Sequence, residues 1–336
     1  MSFRSEGGEL GALRGIDLEV FSGEVLAIVG ESGSGKSVTS KALLGILPSS
    51  ARIVSGEILY EGRDILGLSR AELEALRGAK ISLVPQDPFL SLDPIARVGG
   101  QIAEAVRTEG MARGMAREYR RRRATELMRE VGIPDAEERY SDFPFRFSGG
   151  MRQRIAIAAA LAPDPEILVL DEPTTALDVT IEAQILDLLD GLKRERGLSM
   201  IFITHDLGVV ARIADRVAVM YAGKIVETGR VEEVFYNPRH PYTWALMSSI
   251  PEAGEKTLRA IPGAVPDMRY PPRGDAFAPR SEWAMKIDYL LPPPTFRLSP
   301  THTVASWLYH EYAPRVDIPE HLMRRIERQG GKVDDK

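Results

Sequence analysis

Cysteine is absent from all 336 positions of the chain, so disulfides, thiolate metal sites and cysteine nucleophiles are excluded by composition. No apolar run approaches the ~20 residues that a spanning helix needs, and the first ten residues, MSFRSEGGEL, hold no apolar signal-peptide segment. The chain is expected to be soluble and cytoplasmic, with any membrane association made through partners. It also lacks a surplus of positive charge. With 43 basic residues against 48 acidic ones and a net charge of −5, there is no electrostatic reason to expect a nucleic acid as partner.

The length that remains suggests roughly two compact units. Residues 13–29 read as a strand, a turn at Ser22-Gly23 and a second, buried strand over Val25 to Val29. A glycine-rich loop follows, then helix-compatible spacing from Val38 to Leu47 that stops at Pro48. Two more short apolar runs, Ile167 to Leu170 and Met200 to Ile203, each lead into polar residues, as buried parallel strands do when their C-terminal ends carry a site. Between about Leu92 and Ala162 strand signals fade, and the charged stretch Gln101 to Val131 favours helix, which predicts an inserted helical subdomain. Within it Arg120 to Arg123 lie beside Glu118, Glu126 and Glu130 and read as a solvated helix face rather than a binding patch. From about Val231 prolines cluster, Pro238, Pro241, Pro251, Pro262, Pro266, Pro271, Pro272 and Pro292 to Pro294, and predict a loop-rich appendage.

Four stretches carry chemistry. Gly30-x-x-x-x-Gly35-Lys36-Ser37 has the spacing in which glycines let backbone N–H groups converge on phosphate oxygens at a helix N-terminus. Lys36 would neutralise the β- and γ-phosphates and Ser37 would ligate Mg²⁺. An ordinary glycine turn could share the composition, but its place between a buried strand and a helix is what the phosphate mechanism requires. Leu168 to Glu172 is an apolar strand that delivers carboxylates to its end: Asp171 for the magnesium shell and Glu172 as general base for the attacking water. The alternative is that both acids merely cap the next helix. His205, after the strand Met200 to Ile203, reads as a γ-phosphate contact, although a lone histidine is more often structural. Ser148-Gly149-Gly150 precedes the apolar helix Ile155 to Leu161 and would present another helix N-terminus to an anion, a weak signal taken alone.

In this order the motifs resemble the nucleotide-binding domains of ABC transporters over nearly the whole chain. The resemblance implies an α/β P-loop NTPase fold: a RecA-like core with an antiparallel β edge over 1–92 and 163–230, a helical signature subdomain over 93–162 and a C-terminal extension over 231–336. It assigns the Walker A loop to Gly30, Glu31, Ser32, Gly33, Ser34, Gly35, Lys36 and Ser37, with Val38 completing the ATP contacts, and the Q-loop to Gln86 in Val84-Pro85-Gln86-Asp87-Pro88. The signature is Phe147 to Met151, Walker B is Ile167 to Asp171 with catalytic Glu172, the D-loop is Ala176-Leu177-Asp178, the switch histidine is His205, and Phe3 is similar to the aromatic that stacks on adenine. Mg²⁺ would be held by Ser37, Gln86 and Asp171. Ser148, Gly149 and Gly150 would close over the ATP of a second subunit in a head-to-tail pair, and the pair would drive membrane subunits docked near Gln86.

Further stretches resemble the oligopeptide, dipeptide and nickel importers: Ser91-Leu92-Asp93-Pro94, FSGGMRQR from Phe147 to Arg154, Asn237 to Thr243, Ile261-Pro262-Gly263 and Pro271-Pro272-x-Gly274. That family implies a related second ATPase, two permeases and an extracytoplasmic binding protein as partners, with this subunit peripheral on the cytoplasmic face of the membrane. An exporter, a soluble ABC ATPase and a nucleotide sensor without turnover are the rivals. One cassette without long coiled-coil insertions disfavours the soluble ATPase, and Glu172 with His205 disfavours the sensor.

The chain departs from the family pattern twice. Relatives have about ten residues more before the adenine-stacking aromatic, so the chain is expected either to begin downstream of its natural start or to lack an edge strand. Many relatives carry four cysteines for an iron–sulfur cluster where this chain has Asp275, Ser281, Asp288 and Ser306, and without thiolates a cluster has no ligands. Purified protein is therefore expected to contain no stoichiometric iron. A cluster-type absorbance in the visible, or iron near one equivalent by elemental analysis, would contradict this.

Overall fold

The computed structural model describes residues 1–5, 8–77, 79–109, 111–250 and 260–328. Pro251 of the proline cluster and the end of the 231–336 region lie outside the described residues. The chain folds into two compact units, one of 1–19, 26–57 and 204–336, the other of 20–25 and 58–203.

In the first unit, strand Val25–Val29 is buried at every residue and pairs in parallel with Arg216–Tyr221, Leu26 facing Arg216 and Val29 facing Val219. Arg216–Tyr221 then pairs antiparallel with Lys224–Arg230, and short strands Thr303–Ala305 and Thr295–Arg297 extend the ladder beyond it. A separate antiparallel sheet joins Gly8–Gly11, Ser2–Ser5 and Ala51–Arg52. The strand expected before the Ser22-Gly23 turn does not form. There, Ala12 and Leu13 amides bond the Met1 carbonyl and the Arg14 amide bonds that of Gly223, so the backbone is satisfied singly rather than by a ladder. Helix Lys36–Leu43 ends earlier than Pro48 predicts, because the Gly45 and Ile46 amides turn back onto the Ala42 and Lys41 carbonyls.

The proline-rich region is more regular than its composition predicts. Pro241 opens helix Pro241–Ser248, where a missing N–H costs nothing, and His240 Nδ1 accepts from the Tyr242 amide as its cap. Trp244, Tyr242 and Phe277 are buried with Tyr221, Ala27 and Val29 in one core, joined by Leu322 and Ile326 of the amphipathic helix Glu320–Arg328. Burial of each such side chain contributes about 1.5–3 kcal/mol. Glu227, whose side chain is fully buried, is satisfied by His302 Nε2 at 2.7 Å and by the Arg239 and His240 amides at 2.8 and 2.9 Å.

In the second unit three parallel strands run in the order Ile81–Val84, Ile167–Asp171, Ser199–Thr204. The stretch Gln101 to Val131 is two helices, Val98–Ala105 and Arg113–Glu130, followed by Gly149–Leu161 and Val179–Arg196. The arginine run divides: Arg122 and Arg123 pair with Glu126 on the exposed face, while Arg121 lies 4.9 Å over the Tyr140 ring and Arg120 reaches the Val106 carbonyl. Among the described residues no helix is long and apolar enough to cross a membrane.

Gly274 marks a close backbone approach: a Cβ there would stand 1.9 Å from the Asp288 carbonyl oxygen, which also accepts from the Asp275 amide at 2.7 Å. Gly274→Ala is expected to cost about 1–3 kcal/mol in thermal unfolding through overpacking. Gly67→Ala, where a Cβ meets nothing within 4 Å, serves as the silent control.

Candidate functional site

The strand Val25–Val29 carries no polar side chain, and polar chemistry starts at the loop that follows it. Gly30 has φ 154° and a Cβ on it would lie 2.1 Å from the Met220 carbonyl oxygen; at Gly35, φ 111°, it would lie 2.7 Å from Met220 Cε. Only glycine fits either position. Gly35 stands just before helix Lys36–Leu43 and offers no side chain to cap its first N–H groups, the arrangement that receives an anion. Lys36 is buried, and its ammonium donates to the Gly30 and Glu31 carbonyls at 2.7 and 3.1 Å. Ser34 Oγ is buried with no hydrogen-bond partner, a donor that suits a polar ligand in a glycine cradle. Ser32 and Gly33 are exposed, Ser37 and Val38 half-buried. The same unit holds Phe3, half-buried on its strand opposite Leu10 and Ala51, and exposed His205, followed by Asp206, which caps helix Leu207–Ile213.

The second unit holds the acidic residues. Asp171, 6% exposed, ends its strand, and Glu172 turns out of the ladder with φ 48°, its amide bonded to the Ile203 carbonyl. A left-handed non-glycine residue persists only where its surroundings over-determine it, and this clusters at functional sites. Glu172 Oε2 accepts from Gln86 Nε2 at 3.1 Å and from Thr175 Oγ1 at 3.0 Å. Both of these donors are neutral and orient the carboxylate. The structure thus brings Gln86 and Glu172 into contact. Thr175 was missed in the sequence, although its spacing of three residues past Glu172 was available as a signal. Ser37 in the first unit and Gln86 and Asp171 in the second carry hydroxyl, amide and carboxylate oxygens, the hard donor types that suit Mg²⁺. No cage of three or more His, Cys, Asp or Glu occurs among the described residues, and Mg²⁺ at a phosphate site does not use one.

Ser148 caps helix Gly149–Leu161 by accepting from the Met151 amide, and Asp178 caps Val179–Arg196 by accepting from the Ile181 amide at 3.0 Å. The two helices touch where Gly150 is buried: a Cβ there would stand 2.4 Å from Ile181 Cγ2. Arg154 of the first helix also reaches Gln184 of the second at 3.3 Å. Arg152 donates to the Pro144 and Phe147 carbonyls and lies 3.8 Å over the exposed Phe89 ring, three residues past Gln86.

In the C-terminal region the four positions that the family resemblance matches to cysteine are occupied by oxygen side chains that each accept from a nearby amide. Asp275 takes the Phe277 amide, Ser281 that of Trp283, Asp288 that of Met285 and Ser306 that of Leu308. Burial pushes the Asp288 carboxyl above its ordinary range.

Comparison with known proteins bears on the whole chain. The family described as ABC transporter matches residues 13–175, and the oligopeptide/dipeptide transporter C-terminal region matches 226–287. The oligopeptide transport ATP-binding protein OppD of Bacillus subtilis is 53% identical over 98% of this chain and 92% of its own length. The dipeptide transport ATP-binding protein DppD of Lactococcus lactis is 50% identical over 100% of this chain and 96% of its own. Among solved structures, a dimeric ATP-binding cassette in a post-hydrolysis state with ADP and Pi is 28% identical with a TM-score of 0.61, covering 68% of this chain and 95% of that one. With relatives of this identity along nearly its full length, the chain belongs to the ABC transporter family, among the ATP-binding proteins of oligopeptide and dipeptide transport type.

Proposed function

We propose that the chain is the ATP-hydrolysing subunit of an ABC importer that takes up peptides. The observation that carries this reading is the 53% identity to an oligopeptide transport ATP-binding protein over 98% of the chain. The match of residues 226–287 to the oligopeptide/dipeptide C-terminal region supports the peptide class.

In this reading the ATP triphosphate lies on the loop Gly30 to Ser37, with Lys36 against the β- and γ-phosphates, Val38 following and Phe3 against the adenine. Ser37, Gln86 and Asp171 would hold Mg²⁺, which when bound would supply charge neutralisation at the phosphates. Glu172, held by Gln86 and Thr175, orients and deprotonates the attacking water, and His205 contacts the γ-phosphate. Ser148, Gly149, Gly150 and Asp178 serve the nucleotide of a second ATPase subunit. The division into a core of 1–92 and 163–230, a helical subdomain of 93–162 and an extension of 231–336 belongs to the same reading. A related ATPase, two permeases and an extracytoplasmic binding protein complete the transporter, with this chain at the cytoplasmic face.

Glu172→Gln keeps the shape and removes the base. ATP binding is expected to persist while turnover falls about 10²–10⁴-fold, the range removed with a general base. Single-turnover hydrolysis with radiolabelled ATP measures this, and an undiminished rate would take Glu172 out of the role.

A further inference from the structure

The glycines of the phosphate loop leave it without side-chain packing of its own, yet its second residue, Glu31, is held at every polar group. Its carboxylate is gripped by the fork of Arg280, Nη1 to Oε2 at 2.7 Å and Nη2 to Oε1 at 3.1 Å. Its amide donates to Tyr242 Oη at 2.8 Å. Its carbonyl accepts from Lys36 Nζ at 3.1 Å and from the Ser34 amide at 3.2 Å. The first two contacts come from residues 211 and 249 positions away in sequence, the other two from within the loop itself.

Arg280 is as firmly held. Its side chain is 4% exposed, its Nε donates to the Pro262 carbonyl at 2.7 Å, Nη1 also donates to Tyr221 Oη at 3.1 Å, and the guanidinium carbon lies 5.7 and 5.8 Å from the Tyr221 and Phe277 ring centres. Burial alone would lower the pKa of the guanidinium, but the bonds to Glu31 and Tyr221 outweigh it and raise the value, so the group is charged. Tyr221, Tyr242 and Phe277 pack on one another at 4.5 to 5.4 Å, which makes the platform beneath the fork rigid.

Two consequences reach ATP. A carboxylate one residue into a triphosphate-binding loop repels the ligand unless its charge is neutralised, and the bidentate fork neutralises it. The same grip fixes the Glu31 carbonyl, one of the two acceptors that hold the Lys36 ammonium. We propose that Arg280 is a positioning residue for ATP, acting through Glu31, and that it makes the C-terminal region a working part of the nucleotide site. The inference rests on the reading of Gly30 to Ser37 as the ATP site given above.

The test measures equilibrium binding of a fluorescent ATP analogue to the full-length chain, together with ATP hydrolysis by the complex that co-purifies with it. Arg280→Met is expected to raise Kd and KM about tenfold, a typical coupling for a contacting charged pair, with kcat changed less than about twofold. Arg280→Lys, which keeps the charge and loses the fork, falls between. Adding Glu31→Gln to Arg280→Met removes the unpaired carboxylate and is expected to bring Kd back to within about threefold of the parent, a rescue that a purely structural loss would not produce. If Arg280→Met does not fold, Arg280→Lys and Tyr242→Phe carry the same comparison. Unchanged Kd in the Arg280 variants, or no recovery in the double variant, would overturn the inference while leaving the ATP site intact. ATP binding that survives Lys36→Ala would instead remove the ATP-site reading, and this inference with it.

Discussion

A strand buried along its whole length has little room for an unpartnered polar side chain, so the chemistry it supports is pushed onto the residues at its end. Val25–Val29 is buried at all five positions, Ser199–Thr204 at all six, and Ile167–Asp171 at all but its first. The cost of burying an unpartnered polar group enforces this separation of scaffold and site. The glycine loop, Asp171 with Glu172, and His205 all occupy such ends. Their placement follows from the buried strands that precede them.

The same constraint explains what could be read from the chain before its structure. The glycine loop, the acidic pair and Ser148-Gly149-Gly150 are patterns of consecutive residues beside apolar strands or a helix, so local spacing was enough to locate these elements in the fold. Boundaries set by backbone hydrogen bonds were less legible. The helix after the loop stops where Gly45 and Ile46 fold back on it, and no ladder forms over the stretch before Val25, whose neighbouring amides find single partners in Met1 and Gly223. Pairings across long sequence separation were not legible at all. Nothing in the residues near Arg280 announces a partner 249 positions earlier, and the prolines around it signalled loops where helix Pro241–Ser248 and a compact aromatic core form.

Three carboxylates are held in different ways. Glu172 is aimed by an amide and a hydroxyl, neither of which carries charge. Glu31 and Glu227 are each held by a full set of partners, a guanidinium fork for one and an imidazole with two amides for the other.

The close seat of Gly150 against Ile181 has a mechanical consequence. Ser148 and Asp178 stand at the heads of two helices that meet without a gap at that point and are tied again by Arg154 and Gln184. Close-packed interfaces transmit displacement rather than absorb it. The two loops therefore ride on a single lever, and a push delivered to one arrives at the other with no slack between them.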